Sequence, residues 1–131
     1  MLEYLQKRLA DTMNQTGAAI LSTCNSLGIR QFPCQYWQIH PNPMRAYLLV
    51  PKTLDMLENL IANSETSVIT SLWRAHGMSR VLTSMEEMGG LRLLDHSSSR
   101  WCSLVEFRPR SIQLQPYADW RDAALIEFYE E

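Results

Sequence analysis

The side chains best equipped for chemistry in this 131-residue chain lie in the run Cys34-Gln35-Tyr36-Trp37. It sets a thiol, an amide, a phenol hydroxyl and an indole N–H beside two flat faces. In an extended strand, alternation sends Cys34 and Tyr36 to one side and Gln35 and Trp37 to the other, so one pair at most can face a ligand. Packing is the plainer use of aromatic residues at such positions. A second group is Lys52-Thr53, a cation and a hydroxyl at the start of a helical pattern. Thr53 can cap that helix, and Asp55 in its first turn complements the helix dipole. Arg30 and the pair Trp73-Arg74 add charge and one more aromatic face.

The chain carries no catalytic constellation of its own. His40, His76 and His96 stand singly, without the i,i+4 or CxxC partners that a metal site needs. No Walker loop, no G-x-G-x-x-G and no G-x-S-x-G occurs, and Gly89-Gly90 is too short to cradle a phosphate. Glu86-Glu87 reads as a solvated turn, because nothing nearby would raise one carboxyl pKa. Cys24, Cys34 and Cys102 are odd in number and suit reduced thiols in a cytoplasmic protein. The formal net charge of −2 offers no basic field for nucleic acid. No apolar run approaches the roughly 20 residues that cross a bilayer, and Met1 to Arg8 lacks the order of a signal peptide. Such a chain fits a protein whose chemistry resides in a bound cofactor. It fits a binding or interaction module equally well.

The elements that must position these residues follow from periodicity. Leu2, Leu5, Leu9 and Met13 share one helical face, so residues 1–14 form an amphipathic helix that packs on a neighbouring element. Ala18 to Cys24 is a strand, and Asn25-Ser26-Leu27-Gly28 is a hairpin turn in which Gly28 can take φ > 0. Ile29 to Ile39 reads as one long strand, with Pro33 marking an edge or a bulge. After the break at His40-Pro41-Asn42-Pro43, Arg45 to Val50 is a third strand. Thr53 to Ala62 is a helix with Leu54, Leu57, Leu60 and Ile61 on its stripe. Ser67 to Trp73 and Met78 to Met85 are strands on either side of a turn at Arg74-Ala75-His76-Gly77. Glu86 to Ser99 is ambiguous, and Arg100 to Leu114 is a long strand bent at Pro109. Trp120, Ala124 and Phe128, four apart, predict a closing helix over 119–129. Trp101 suits the barrel core and Trp120 anchors that helix. About six antiparallel strands with one inserted helix suit a small closed or split β-barrel, which removes exposed edges at that strand count. One domain covers the chain, its barrel spanning 17–114.

This order, with Ala19-Ile-Leu-Ser-Thr23 before Gly28, Arg45-Ala-Tyr-Leu-Leu-Val-Pro51, Asn59-Leu-Ile-Ala-Asn63, Ser67-Val-Ile69 and Trp101-Cys-Ser-Leu-Val-Glu-Phe-Arg-Pro-Arg-Ser-Ile112, resembles the FMN-binding split barrels related to pyridoxamine-phosphate oxidase. The resemblance runs from about Gly17 to Leu114. It implies a mainly β, small antiparallel split barrel with flanking helices, working as a homodimer with FMN in the groove between subunits. It further implies an oxidoreductase acting on a small substrate. The family's phosphate lysine and hydroxyl fall on Met56 and Leu54, both apolar here. Lys52 and Thr53, just upstream at the same helix start, are the substitutes, with Arg30 or Arg74 adding charge. Gln35, Tyr36 and Trp37 then form the floor for the flavin ring, and Trp73-Arg74 borders it. The alternative is a relative that has lost FMN and acts as a dimeric ligand-binding or interaction module. Another flat cofactor would fit the same groove, with His76 as the ligand if it were haem.

Overall fold

A computed structural model describes residues 3–14, 18–25, 28–34, 36–41, 43–82, 102–114 and 124–127. Helix α1 (Glu3–Asn14) is followed by strands β1 (Ile20–Asn25), β2 (Gly28–Pro33), β3 (Tyr36–His40) and β4 (Arg45–Pro51). Then come helix α2 (Leu54–Ala62) and strands β5 (Glu65–Ile69), β6 (Trp73–Val81), β7 (Cys102–Leu114) and β8 (Ala124–Glu127). All pairings are antiparallel, in the order β2-β1-β5-β6-β7-β4-β3, with β8 added on β7.

The predicted strand Ile29 to Ile39 is two strands. β2 lies at one end of that order and β3 at the other, yet only residues 34 and 35 separate Pro33 from Tyr36. Three Cα steps span at most roughly 11 Å. The sheet must therefore roll until its two ends nearly meet, with hydrogen bonding interrupted at that seam. Pro33 lacks an N–H and ends the edge strand β2. The Cys34 N–H bonds to the Ala19 carbonyl at 2.9 Å, after which the chain leaves β1 and crosses the seam.

The rolled sheet encloses the core. Leu21, Val68, Trp73, Ala75, Leu48, Val50, Val105, Phe107 and Ile112 are buried in one cluster. α1 closes one end with Leu9, Ala10 and Met13, whereas Tyr4 and Leu5 remain exposed. Asn14 fixes it there: its side chain donates to the Ile39 carbonyl (3.0 Å) and accepts from the Ile39 N–H (2.8 Å). Trp73 adds a bond from its indole to the Met13 carbonyl at 3.2 Å. α2 closes the other end with Met56 and Leu60, and Asn59 donates to the Thr23 hydroxyl at 3.0 Å. Its buried stripe is displaced from the predicted one, because Leu54 and Ile61 face outward at 71% and 87% exposure.

Three local expectations change. The turn placed at residues 74–77 lies at Thr70 instead, whose hydroxyl accepts from the N–H groups of Leu72 and Trp73. Trp73 and Arg74 consequently open β6 rather than close the preceding strand. The predicted helix over 119–129 gives way to strand at Ala124–Glu127. β4 pairs with β7 only over Cys102–Phe107, so the far half of β7 offers an open edge that β8 occupies at Ser111–Leu114. The segment 86–99, Trp101 and Trp120 lie outside the described residues.

Gly28 takes φ 127°, as the hairpin turn predicts. Gly77 serves a different need. The β6/β7 register shifts between His76 and Gly77, and Gly77 stands opposite Pro109. A Cβ at Gly77 would overlap the Arg108 carbonyl and lie 2.8 Å from Pro109 Cα. Because the obstacle is backbone, Gly77→Ala should cost at least about 1–3 kcal/mol in chemical denaturation. Gly28→Ala, with open space around it, should cost only the left-handed backbone penalty of about 1–2 kcal/mol.

Candidate functional site

The rolled sheet sorts the predicted site residues by face. Trp37 and Trp73 belong to the interior, their rings meeting edge to face at 5.6 Å. Trp73 is 1% exposed and Trp37 packs on the same core, so neither tryptophan offers a flat outer wall. Cys34 packs against that core too. The alternation expected across residues 34–37 fails because the strand breaks there. Burial pushes the Cys34 thiol up to about 12, more than the Leu21 backbone bond lowers it. It is a thiol and not a nucleophilic thiolate at neutral pH. Tyr36 begins β3 opposite Leu49, and Gln35 lies outside the described residues.

The polar candidates do not all converge on one place. Lys52 and Thr53 stand exposed at the start of α2. The Thr53 hydroxyl accepts from the Met56 N–H at 3.2 Å, the capping role its sequence predicts. Met56, the position to which the resemblance assigns a lysine, is fully buried in the core. Arg30 pairs with Thr23, which bonds to Asn59 of α2, so Arg30 shares that end of the barrel. Arg74 is elsewhere. Pro51 pairs with Cys102 and Arg74 with Gln113, a separation of roughly 36 Å along β7. Its guanidinium donates to Gln113 at 2.8 Å. His76 is exposed, its Nδ1 3.3 Å from the Ser67 hydroxyl.

Among the described residues, the densest polar arrangement is one that sequence reasoning missed, on the outer face of β4, β7 and β6. Glu106, 5% exposed, has Tyr47 opposite on β4 and Arg80 opposite on β6. Its Oε1 accepts from Arg80 Nε (3.3 Å) and Arg108 Nε (3.0 Å), and its Oε2 accepts from the Tyr47 hydroxyl (3.3 Å). Arg45 donates in turn to the Tyr47 hydroxyl at 2.7 Å and to the carbonyls of Pro41 and Pro43. A buried carboxylate persists only when paired in this manner. The available signal was a lone acid in the run Leu104-Val-Glu-Phe, followed by Arg-Pro-Arg.

His40 borders this network, its ring edge-on to Tyr47 at 5.2 Å. Among the described residues its Nε2 is buried without a hydrogen-bond partner. Desolvation, and then the Arg45 charge, lower its pKa. No described helix is long and apolar enough to cross a membrane.

Two outcomes follow from these contacts. Glu106→Gln replaces charge-assisted bonds by neutral ones and should destabilise the protein by about 1–3 kcal/mol in denaturant. For His40 the unfolded chain binds the proton more readily than the folded protein. Its contribution is thus complete above the unfolded pKa and declines as pH falls through 6.5. His40→Gln should flatten the stability profile between neutral and mildly acidic pH. An identical slope in both proteins would assign the pH dependence to other groups.

No protein-family model matches the chain, and no curated protein matches it in sequence. Solved structures do match. General stress protein 26 from Bacillus anthracis superposes with a TM-score of 0.68 at 11% identity, covering 95% of this chain and 99% of that one. A protein from Clostridium acetobutylicum related to general stress protein 26, of the pyridoxinephosphate oxidase family, gives 0.67 at 10% identity over 97% and 96%. A NimC/NimA family protein from the same organism gives 0.62 at 11% identity over 94% and 93%. With its mainly antiparallel rolled sheet and two helices, the chain has the split-barrel fold of the pyridoxamine-phosphate-oxidase-like proteins.

Proposed function

We propose that this chain is an FMN-binding, dimeric split-barrel protein of the pyridoxamine-phosphate-oxidase-like class. The observation that carries the reading is the fold itself, joined to a cation and uncommitted backbone donors where α2 begins. Thr53 uses its hydroxyl on Met56 N–H and its carbonyl on Leu57 N–H. The N–H groups of Leu54 and Asp55 therefore remain as the first-turn donors that a phosphate can take. Exposed Lys52 adds charge beside them.

The fit is uneven along the cofactor. The phosphate end suits Lys52 and the α2 start, although Asp55 competes there. The ring end cannot use Trp37 or Trp73, which belong to the barrel interior. A flavin on this protein would therefore take its ring surface from outside the barrel, with a second subunit supplying the facing wall. When bound, FMN supplies hydride and electron transfer to a small substrate. The chain's own residues would bind and orient it.

A second reading is favoured by α2. Met56 is fully buried where the family resemblance implies a lysine, and Leu54 and Ile61 lie exposed on the outer side of that helix. Those features suit a split barrel that has lost flavin and acts as a dimeric interaction module.

An absorption spectrum of fresh protein, an FMN titration and sizing at micromolar concentration separate the two. Saturable FMN binding by a dimer supports the first reading, and Lys52→Ala should then weaken affinity by about 1.5–3 kcal/mol. A colourless dimer indifferent to FMN would support the second. A monomer would count against both.

A further inference from the structure

We propose that the free edge of β2 is a self-association surface, on which a second copy of this chain pairs its own β2 antiparallel. The two sheets then run on as one, with a two-fold axis through Gln31. This is a contact of strand edges, separate from any packing of barrel faces around a flavin, and it does not depend on the flavin reading.

The hairpin register fixes which backbone groups are available. Asn25 pairs with Gly28, so residues 26 and 27 alone form the loop. A pair closed by so short a loop exchanges both of its N–H···O bonds, and along an antiparallel ladder such pairs alternate. Gly28, Arg30 and Phe32 therefore direct their backbone groups to β1. The bond from Cys34 N–H to the Ala19 carbonyl, at 2.9 Å, continues the same alternation. Ile29, Gln31 and Pro33 point the other way. Among the described strands β2 pairs with β1 alone, because β3 crosses the seam to pair with β4. The edge thus offers the N–H groups of Ile29 and Gln31 and the carbonyls of Ile29, Gln31 and Pro33. Every residue of β2 but Phe32 is exposed.

This edge is complementary to itself. About the axis, the two Gln31 residues exchange both of their N–H···O bonds. Each Ile29 N–H meets the second copy's Pro33 carbonyl, and Pro33, having no N–H, asks for no acceptor in return. The side chains agree with this register. Arg30 and Phe32 share the row of Thr23 and Leu21, so each Arg30 faces the second copy's Phe32 as a cation–π pair. Ile29, 70% exposed, faces the second copy's Pro33. An axis through Arg30 instead would set the two arginines directly opposite, which like charges disfavour. Natural edges are commonly guarded by lysines or bulges. Here Arg30 is the one charge on β2, and the isologous pairing covers both edges and stops at two chains.

The test is amide hydrogen exchange on the full chain, read residue by residue by NMR at micromolar and at millimolar protein. Arg30 and Phe32 should be protected at both concentrations, because their N–H groups bond to β1. Ile29 and Gln31 should exchange freely when dilute, and slow about 10-fold once nine-tenths of the chains are paired. Gln31→Pro removes a donor that β1 does not use, and Gln31→Lys sets like charges across the axis. Each should raise the concentration that half-protects Ile29 about 10-fold or more. Gln31 is exposed, so the lysine variant keeps the test valid if the proline variant fails to fold. Ile61→Asp, on the outer side of α2, should leave the protection of Ile29 unchanged. The proposal fails if Ile29 and Gln31 exchange as fast in concentrated solution as in dilute, or if both Gln31 variants protect Ile29 as the parent does. A dimer in which those two amides stay unprotected pairs through another surface, which leaves dimerisation standing and overturns the edge contact. A monomer at millimolar concentration overturns both.

Discussion

Pro33 and Tyr36 stand at opposite ends of the hydrogen-bonded order yet only three Cα steps apart, and much of the molecule answers to that closeness. A flat sheet of seven strands in this order would separate β2 from β3 by roughly 29 Å at ordinary strand spacing. The chain cannot cover that distance in so few residues. Rolling is the only solution, and it creates an interior that must be filled and two ends that must be stopped. Phe32, Cys34 and Trp37 pack on the core from either side of the seam. α1 and α2 stop the ends, each tied down by an asparagine: Asn14 on Ile39, Asn59 on Thr23.

Rolling also divides every strand into an inward and an outward row, and this division decides what the side chains can do. β7 shows it most clearly. Val105 and Phe107 are interior core, whereas Glu106 between them faces Tyr47 and Arg80 on the outside. A second group of buried residues, Tyr47, Leu49, Leu82 and Leu104, accompanies it. The outer face of β4, β6 and β7 is therefore not a uniform solvated surface. It pairs an apolar group with a clamped charge network, and a low-dielectric neighbourhood strengthens such contacts.

At the start of α2 one residue serves two needs. Thr53 meets the helix's own demand for a cap, which limits what its hydroxyl can offer a ligand. Lys52 stands exposed beside it at the same helix start. Met56, within the helix, contributes packing. Its burial fills one end of the barrel.

The sequence alone determined what short-range physics controls. The amphipathic helix ending at Asn14, the Thr53 cap, the Gly28 turn and the long strand running to Leu114 are properties of a few adjacent residues, and each was legible. The order of elements was enough to suggest a split barrel. Long-range pairing decided the rest. The break after Cys34 depends on strands at both ends of the sheet, and Ala124–Glu127 is extended because β7 has an unfilled edge. Whether a tryptophan faces a ligand or the core depends on which way the sheet rolls, and that turned Trp37 and Trp73 inward. Glu106, Arg80 and Tyr47 are far apart in the chain and meet only through strand register. Helical and turn periodicity is read within a few residues; the inside of a barrel exists only after closure.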